Sequence, residues 1–104
     1  MIGYGFHPEA SFDLDDIWEF IAADNVAAAN TAMDYILDAI DTLVAFPYQG
    51  YRRPNLTSRP LRFKLVREYV IAYAPEKKPL WIVALFHGRR SPRVIAAILR
   101  DREQ

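Results

Sequence analysis

The stretch LRFKLVREYVIAYAPEKKPLWIVALF, residues 61–86, decides the fold of this chain. Apolar and charged residues alternate over 61–65, and Tyr69, Ile71 and Tyr73 alternate with the smaller Val70 and Ala72. A period of two predicts strands, and the unbroken apolar run 80–86 is typical of a central strand covered on both faces. Since only short connections separate these runs, we expect an antiparallel meander of three strands.

Two amphipathic helices are predicted before this stretch, because apolar residues recur there at helical spacing. Pro8 suits the first turn of the first helix, and Asp24 or Asn25 can cap the second. Pro47 and Gly50 end the second helix. The apolar stripes are Leu14, Ile17, Trp18 and Ile21 in the first helix and Val26, Ala29, Met33, Ile36, Leu37, Ile40, Leu43 and Val44 in the second.

The two ends of the chain complete the predicted fold. Residues 2–6 predict a short first strand, at an edge or with a bulge because of its glycines. Ser91 as a cap and Pro92 at the first position predict a short C-terminal helix, after which residues 100–104 are expected to fray. The fold class is therefore α+β, with an N-terminal strand and an antiparallel helical hairpin packed on a small antiparallel sheet.

Composition narrows the class of protein. The 104 residues predict one domain, 1–104, of ordinary globular composition. The chain has no cysteine and two histidines, so we expect no disulfide, no metal site and no cofactor. No apolar run is long enough for a membrane span, and the N-terminus does not resemble a secretory signal. A cytoplasmic protein without membrane contact is expected.

Charge is divided unequally between the halves of the chain. Residues 1–50 contain nine acids and no lysine or arginine, whereas residues 51–104 contain all thirteen basic residues and four acids. The formal charge is therefore −9 (0 − 9) for residues 1–50 and +9 (13 − 4) for residues 51–104. Such an asymmetry suggests a basic surface with an acidic partner. The alternative is that the two halves neutralise each other across the fold.

A series of short motifs follows the predicted elements in order. They are Asp13–Leu14 with Ile17 and Ile21; Asn25 followed by Val26 and then Ala27, Ala28 and Ala29; Leu43, Pro47, Gly50, Arg52 and Arg53; Tyr69, Ile71 and Tyr73; and His87, Gly88, Arg89 and Arg90. Their order and spacing resemble the ParE branch of the ParE/RelE toxin superfamily, although Val26 stands where that family usually has proline. The resemblance covers nearly the whole chain.

This resemblance implies the toxin of a type II toxin–antitoxin module, neutralised by a cognate antitoxin and used in plasmid stabilisation. ParE-like members poison DNA gyrase, whereas RelE-like members cleave mRNA on the ribosome. A nuclease of that kind would use Arg62, Lys64, His87 and Arg89. RelE-like enzymes commonly supply an acid or base near the end of the chain, but no tyrosine or second histidine follows Arg90 here. The resemblance therefore favours gyrase inhibition over an enzyme. A non-toxic module that only binds antitoxin is the third alternative.

The basic residues form the candidate partner-binding site. Arg62 and Lys64 alternate with core residues, so we expect them to project from one face of the sheet. This surface suits phosphates, an acidic antitoxin segment or an acidic patch on gyrase, and leaves direct binding of nucleic acid open. Its alternative is a solvated strand face. The predicted set is Arg52, Arg53, Arg59, Arg62, Lys64, Arg89, Arg90 and Arg93.

Several individual side chains outside this basic set also have candidate roles. His87 is either an acid–base group or a structural residue that closes the last strand. His7 is expected to cap the first helix or face solvent. Tyr48 and Tyr51 are expected as contact residues on a loop. An acidic, amphipathic antitoxin segment is expected against the basic half or in the groove beside the helical hairpin.

Overall fold

The computed structural model describes residues 3–102. The elements follow the predicted α+β order. Ile2, predicted as the start of the first strand, and residues 103–104 lie outside the described part. The elements are β1 (Tyr4–Phe6), α1 (Pro8–Ala22), α2 (Val26–Ala45), β2 (Arg62–Val66), β3 (Tyr69–Ala74), β4 (Leu80–His87) and α3 (Pro92–Asp101).

The strands form one sheet in the order β1-β4-β3-β2. β2, β3 and β4 pair antiparallel, which confirms the predicted meander. β1 lies at the sheet edge and pairs parallel with β4, so the sheet is mixed rather than wholly antiparallel. Parallel pairing requires a long connection, and the helical hairpin and two strands between β1 and β4 supply it.

Helices cover both faces of the sheet. The α1–α2 hairpin packs on one face, where Ile17, Ile36 and Ile40 share a core with Ile71 and Tyr73. The helix α3 packs on the other face through Ile95 and Leu99. β4 therefore lies between two cores, as its unbroken apolar run predicts.

A β-bulge adjusts β4 to these two cores. Ala72 lies opposite Ala84 and Tyr73 lies opposite Ile82, so Val83 is an extra residue with no partner in β3. As a result Val83 and Ala84 both belong to the core under α3, whereas Ile82 belongs to the core under the hairpin. The bulge thus directs two successive side chains to the same face.

The helix starts follow the predicted capping chemistry in two cases. His7 Nδ1 accepts the Glu9 N–H at 3.0 Å, and Asn25 Oδ1 accepts the Ala28 N–H at 3.0 Å. Ser91 occupies the cap position of α3 but its side chain makes no capping hydrogen bond. Among residues 3–102, no helix combines the length and apolar character that a membrane span requires.

Candidate partner-binding surface

A buried tyrosine fixes the connection between α2 and β2. The Tyr73 side chain is fully buried, accepts the Gly50 N–H at 2.9 Å and donates its hydroxyl proton to the Pro47 carbonyl at 2.8 Å. Burial raises the pKa of Tyr73, against smaller lowering effects of the Gly50 hydrogen bond and the Arg62 charge. The hydroxyl therefore stays protonated and can keep donating to Pro47.

The same connection is tied to the outer edge of β2. Tyr51 and Phe63 exchange two backbone hydrogen bonds, of 3.0 Å and 2.8 Å. The Arg62 Nη1 donates to the Gly50 carbonyl at 2.7 Å, and its guanidinium carbon lies 5.2 Å from the centre of the Tyr48 ring. Tyr48 and Tyr51 remain exposed, as their predicted role in contacts requires.

The predicted basic residues separate into groups. Arg62 and Lys64 project from the hairpin face of β2, because Phe63 between them packs under α3. Arg52 and Arg53 lie in the connection beside that end of β2. The remaining members, Arg89, Arg90 and Arg93, are exposed where β4 ends and α3 begins.

Arg59 has a different placement from the rest of that set. Its Nη1 donates to the Leu99 carbonyl at 2.8 Å and to the Arg102 carbonyl at 3.1 Å. Carbonyls in the last turn of a helix have no partner within the helix, and a cation there also interacts favourably with the helix dipole. Arg59 therefore stabilises the C-terminal end of α3.

His87 is held by its own strand end. Its Nδ1 accepts the Arg89 N–H at 3.1 Å, and its Nε2 lies 3.4 Å from a Glu68 carboxylate oxygen. An accepting Nδ1 places the proton of the neutral imidazole on Nε2. Arg62 pairs with Tyr73 and His87 pairs with Tyr69, so these two residues are separated by roughly 13 Å along β3 alone.

An apolar groove of about 760 Å³ runs between the helical hairpin and the β2–β3 turn. Phe20, at 78% exposure, and Tyr35 are the large exposed residues on its helical side. A second cleft of about 330 Å³ adjoins it, since Phe20 and Tyr69 line both. Asp16, His87 and Arg90 bring polar groups to this second cleft.

The β2–β3 turn places a cation on the groove wall. Arg67 has φ 58°, in the left-handed region where a side chain other than glycine's costs roughly 1–2 kcal/mol. Its guanidinium carbon lies 4.0 Å from the centre of the Tyr35 ring, close enough for a cation–π interaction. A two-residue hairpin turn between Val66 and Tyr69 requires this positive φ at its first position, and the turn thereby brings Arg67 to the lining of the groove.

Burial beside the groove also affects Tyr69. Desolvation raises the pKa of this side chain, and the negative charge of Glu68 raises it further. The Tyr69 hydroxyl therefore faces partners as a neutral group. Its ring meets the His87 ring edge-on, with 5.4 Å between the ring centres.

One contact escaped prediction from the sequence. Asp13 of α1 accepts the Leu85 N–H at 3.0 Å and forms a two-point ion pair with Arg102, in which Nη2 lies 3.0 Å from Oδ1. Arg102 also donates to the Val83 carbonyl at 3.1 Å. The expectation of a frayed end is therefore wrong at Arg102, because this side chain is anchored on the edge of β4.

The described residues 3–102 contain no group of three or more His, Cys, Asp or Glu side chains placed to hold a metal ion. The side chains that line the groove and the second cleft are aromatic, apolar, cationic and acidic.

Comparison with known proteins identifies this scaffold. The family model described as the ParE toxin of the type II toxin–antitoxin system parDE matches residues 4–92. The fold and the match define the class as the toxin component of a type II toxin–antitoxin module. The chain belongs to the ParE toxin family, and a cognate antitoxin is therefore its partner. No protein with a curated description matches the chain.

Proposed function

We propose that this toxin inhibits DNA gyrase and is held inactive by its cognate antitoxin. The observation that carries the proposal is the environment of His87. Its Nδ1 is already an acceptor for the Arg89 N–H, and its Nε2 faces Glu68. A general base needs a free lone pair directed at the proton that it removes, so this arrangement favours a structural role for His87.

The other residues expected of a nuclease support the same proposal. Arg62 donates to the Gly50 carbonyl, so one of its nitrogens is committed to the loop. Transition-state stabilisation needs several groups around one reacting phosphate. Arg62 and His87 lie towards opposite ends of the sheet, which favours a binding surface over such a centre.

Purified gyrase provides the direct test. Added toxin should inhibit supercoiling of relaxed plasmid or accumulate cleaved DNA in the enzyme, and added antitoxin should restore activity. Supercoiling and cleavage that stay unchanged at a large molar excess of toxin would contradict the proposal. Transcript cleavage in cells that is lost in a folded His87→Ala variant would instead indicate a ribonuclease.

The antitoxin is proposed to occupy the groove with an amphipathic helix. An apolar groove between helices and a sheet suits a helix that buries one face.

Ala28 lines this groove on α2, whereas its exposed neighbour Ala27 does not. We expect Ala28→Arg to weaken antitoxin binding at least tenfold in calorimetry, since the long side chain fills the groove, and Ala27→Arg to leave it unchanged. Equal antitoxin affinities for the two variants would show that the antitoxin binds outside this groove.

A further inference from the structure

The loop after α2, residues 46–61, has chemistry that an antitoxin helix in the groove does not use. Phe46, Tyr48 and Tyr51 lie within it and are 64%, 56% and 45% exposed. Each large ring left in water would gain free energy by being covered. Three such rings within six residues therefore indicate a contact surface.

The loop is ordered before any partner arrives. Tyr73 binds the backbone at Pro47 and Gly50, and Arg62 binds the Gly50 carbonyl. Tyr51 is fixed by two backbone hydrogen bonds to Phe63. A preorganised loop loses little conformational entropy on binding, so its rings can contribute their full contact free energy.

The charged residues of the loop and of the strand that follows it have one sign. No aspartate or glutamate occurs between Asp41 and Glu68, whereas this interval contains Arg52, Arg53, Arg59, Arg62, Lys64 and Arg67. Arg59 is committed to α3 and Arg62 to the loop, but Arg52 is exposed and Arg53 is half-buried. The cations available beside the rings are therefore suited to a polyanion.

We propose that this loop binds single-stranded nucleic acid. Unpaired bases stack on Phe46, Tyr48 and Tyr51, while Arg52 and Arg53 neutralise adjacent phosphates. Flat rings beside cations are the combination that binds single strands without reading sequence. An acidic peptide would satisfy the cations but not the rings, because carboxylate side chains have no π face. A duplex keeps its bases stacked inside.

Fluorescence anisotropy with a fluorescein-labelled 15-nucleotide oligothymidylate tests the proposal on the full chain without gyrase or antitoxin. We expect binding that is tighter than to a duplex of the same length. The logarithm of the binding constant should fall with the logarithm of salt concentration with a slope of roughly −1.4 for two phosphates. Phe46→Ala and Tyr48→Ala should each lower affinity about fivefold or more.

Phe12→Ala is the matched control, because Phe12 is 60% exposed but lies on the acidic helix α1. The Phe12→Ala variant should bind the oligonucleotide with the same affinity as the wild type. Arg52→Ala should weaken binding and reduce the salt slope.

Absence of binding, equal affinity for the duplex, or affinity unchanged by Tyr48→Ala would overturn the inference. Displacement of the oligonucleotide by polyglutamate at matched charge would also overturn it and assign the loop to an acidic protein. Failure of gyrase inhibition would leave this measurement unaffected, since gyrase is absent.

Discussion

Asp13 is the residue on which the edge of β4 depends. β1 covers only Leu80–Ile82 of that edge, and beyond it the Asp13 carboxylate binds the Leu85 N–H and Arg102. An exposed N–H on an edge strand invites pairing with another chain, and a charged side chain over the edge prevents it. The pair also connects α1 to the end of α3.

We expect Asp13→Ala to lower the free energy of unfolding by about 3 kcal/mol, because it leaves a largely buried guanidinium without its partner. Urea unfolding measures the loss. Asp15→Ala, on the exposed side of the same helix, should change stability by no more than about 0.5 kcal/mol. In the double variant with Arg102→Ala the two losses should not add, and strict additivity would contradict the pairing.

Tyr73→Phe removes only the hydroxyl that binds Pro47 and Gly50. The buried Gly50 N–H and the partly buried Pro47 carbonyl lose their partner, so the free energy of unfolding should fall by about 1–3 kcal/mol at pH 8. The ring and its packing remain in place. Tyr48→Phe is the control, since that hydroxyl belongs to an exposed side chain.

The raised pKa of Tyr73 makes this difference depend on pH. The folded state retains a proton that the unfolded chain releases near pH 10, the ordinary tyrosine value. The contribution of the Tyr73 hydroxyl to the free energy of unfolding is therefore fully present at neutral pH. It falls as pH rises above about 10, by up to about 1.4 kcal/mol per pH unit for one group. The advantage of the wild type over Tyr73→Phe should therefore shrink steadily as pH rises above about 10. An advantage that stays constant between pH 8 and the highest pH at which both proteins remain folded would exclude the mechanism.

At the scale of elements, α3 is a short helix held at its far end by another part of the chain. Arg59 donates to the Leu99 and Arg102 carbonyls. We expect Arg59→Ala to cost about 1–2 kcal/mol and to speed amide hydrogen exchange in the last turn of α3. Arg93→Ala, at the exposed start of α3, should change neither. If Arg59→Ala instead weakened antitoxin binding without changing stability, Arg59 would be a partner-binding residue, as the sequence predicts.

Most elements were predictable from the sequence because each has a local signal. Periodicity marks α1, α2 and the meander, and Pro8 and Asn25 mark helix starts. The direction of β1 was not predictable, since three residues carry no signal for parallel or antiparallel pairing. The bulge at Val83 was also hidden, because an unbroken apolar run looks the same with or without an extra residue.

The candidate site was less predictable than the fold. Sequence reasoning found the exposed tyrosines and the cations, but grouped Arg59 with residues that lie elsewhere. The Asp13–Arg102 pair joins positions 89 residues apart, and contacts at such separation leave no local pattern. The exposed Phe46 was likewise missed, because an aromatic residue after a helix usually packs into the core.

At the scale of the whole molecule, the charge halves remain largely unpaired. The hairpin presents exposed acids, including Asp15, Glu19, Asp34 and Asp38. Within residues 3–102, one carboxylate–guanidinium pair, Asp13–Arg102, joins the acidic half to the basic half. The expectation that the halves neutralise each other in direct contacts therefore has little support in the described residues. The two sequence halves thus carry largely unpaired charges of opposite sign, although the formal net charge is zero.

A protein that carries many unpaired charges of both signs and no net charge should attract other copies of itself at low ionic strength. Near its sequence pI of 6.7, light scattering at 10 mM salt should show net attraction between molecules. At 0.5 M salt the attraction should vanish, because the Debye length shortens to roughly 4 Å. Attraction that persists at high salt would indicate apolar contacts through the groove or the loop instead.

The hydrogen bonds of Tyr73 to Pro47 and Gly50 form a frame beneath the exposed rings of the loop. This frame also determines how such a toxin can evolve. A Cβ at Gly50 would lie 2.5 Å from the Tyr73 hydroxyl and 2.8 Å from the Phe63 carbonyl, so Gly50 and Tyr73 constrain each other. Phe46 and Tyr48 face solvent and are free of that constraint. Duplicated genes can therefore diverge in their exposed rings while inheriting the same frame, and two toxins in one cell can come to recognise different partners without acquiring different folds.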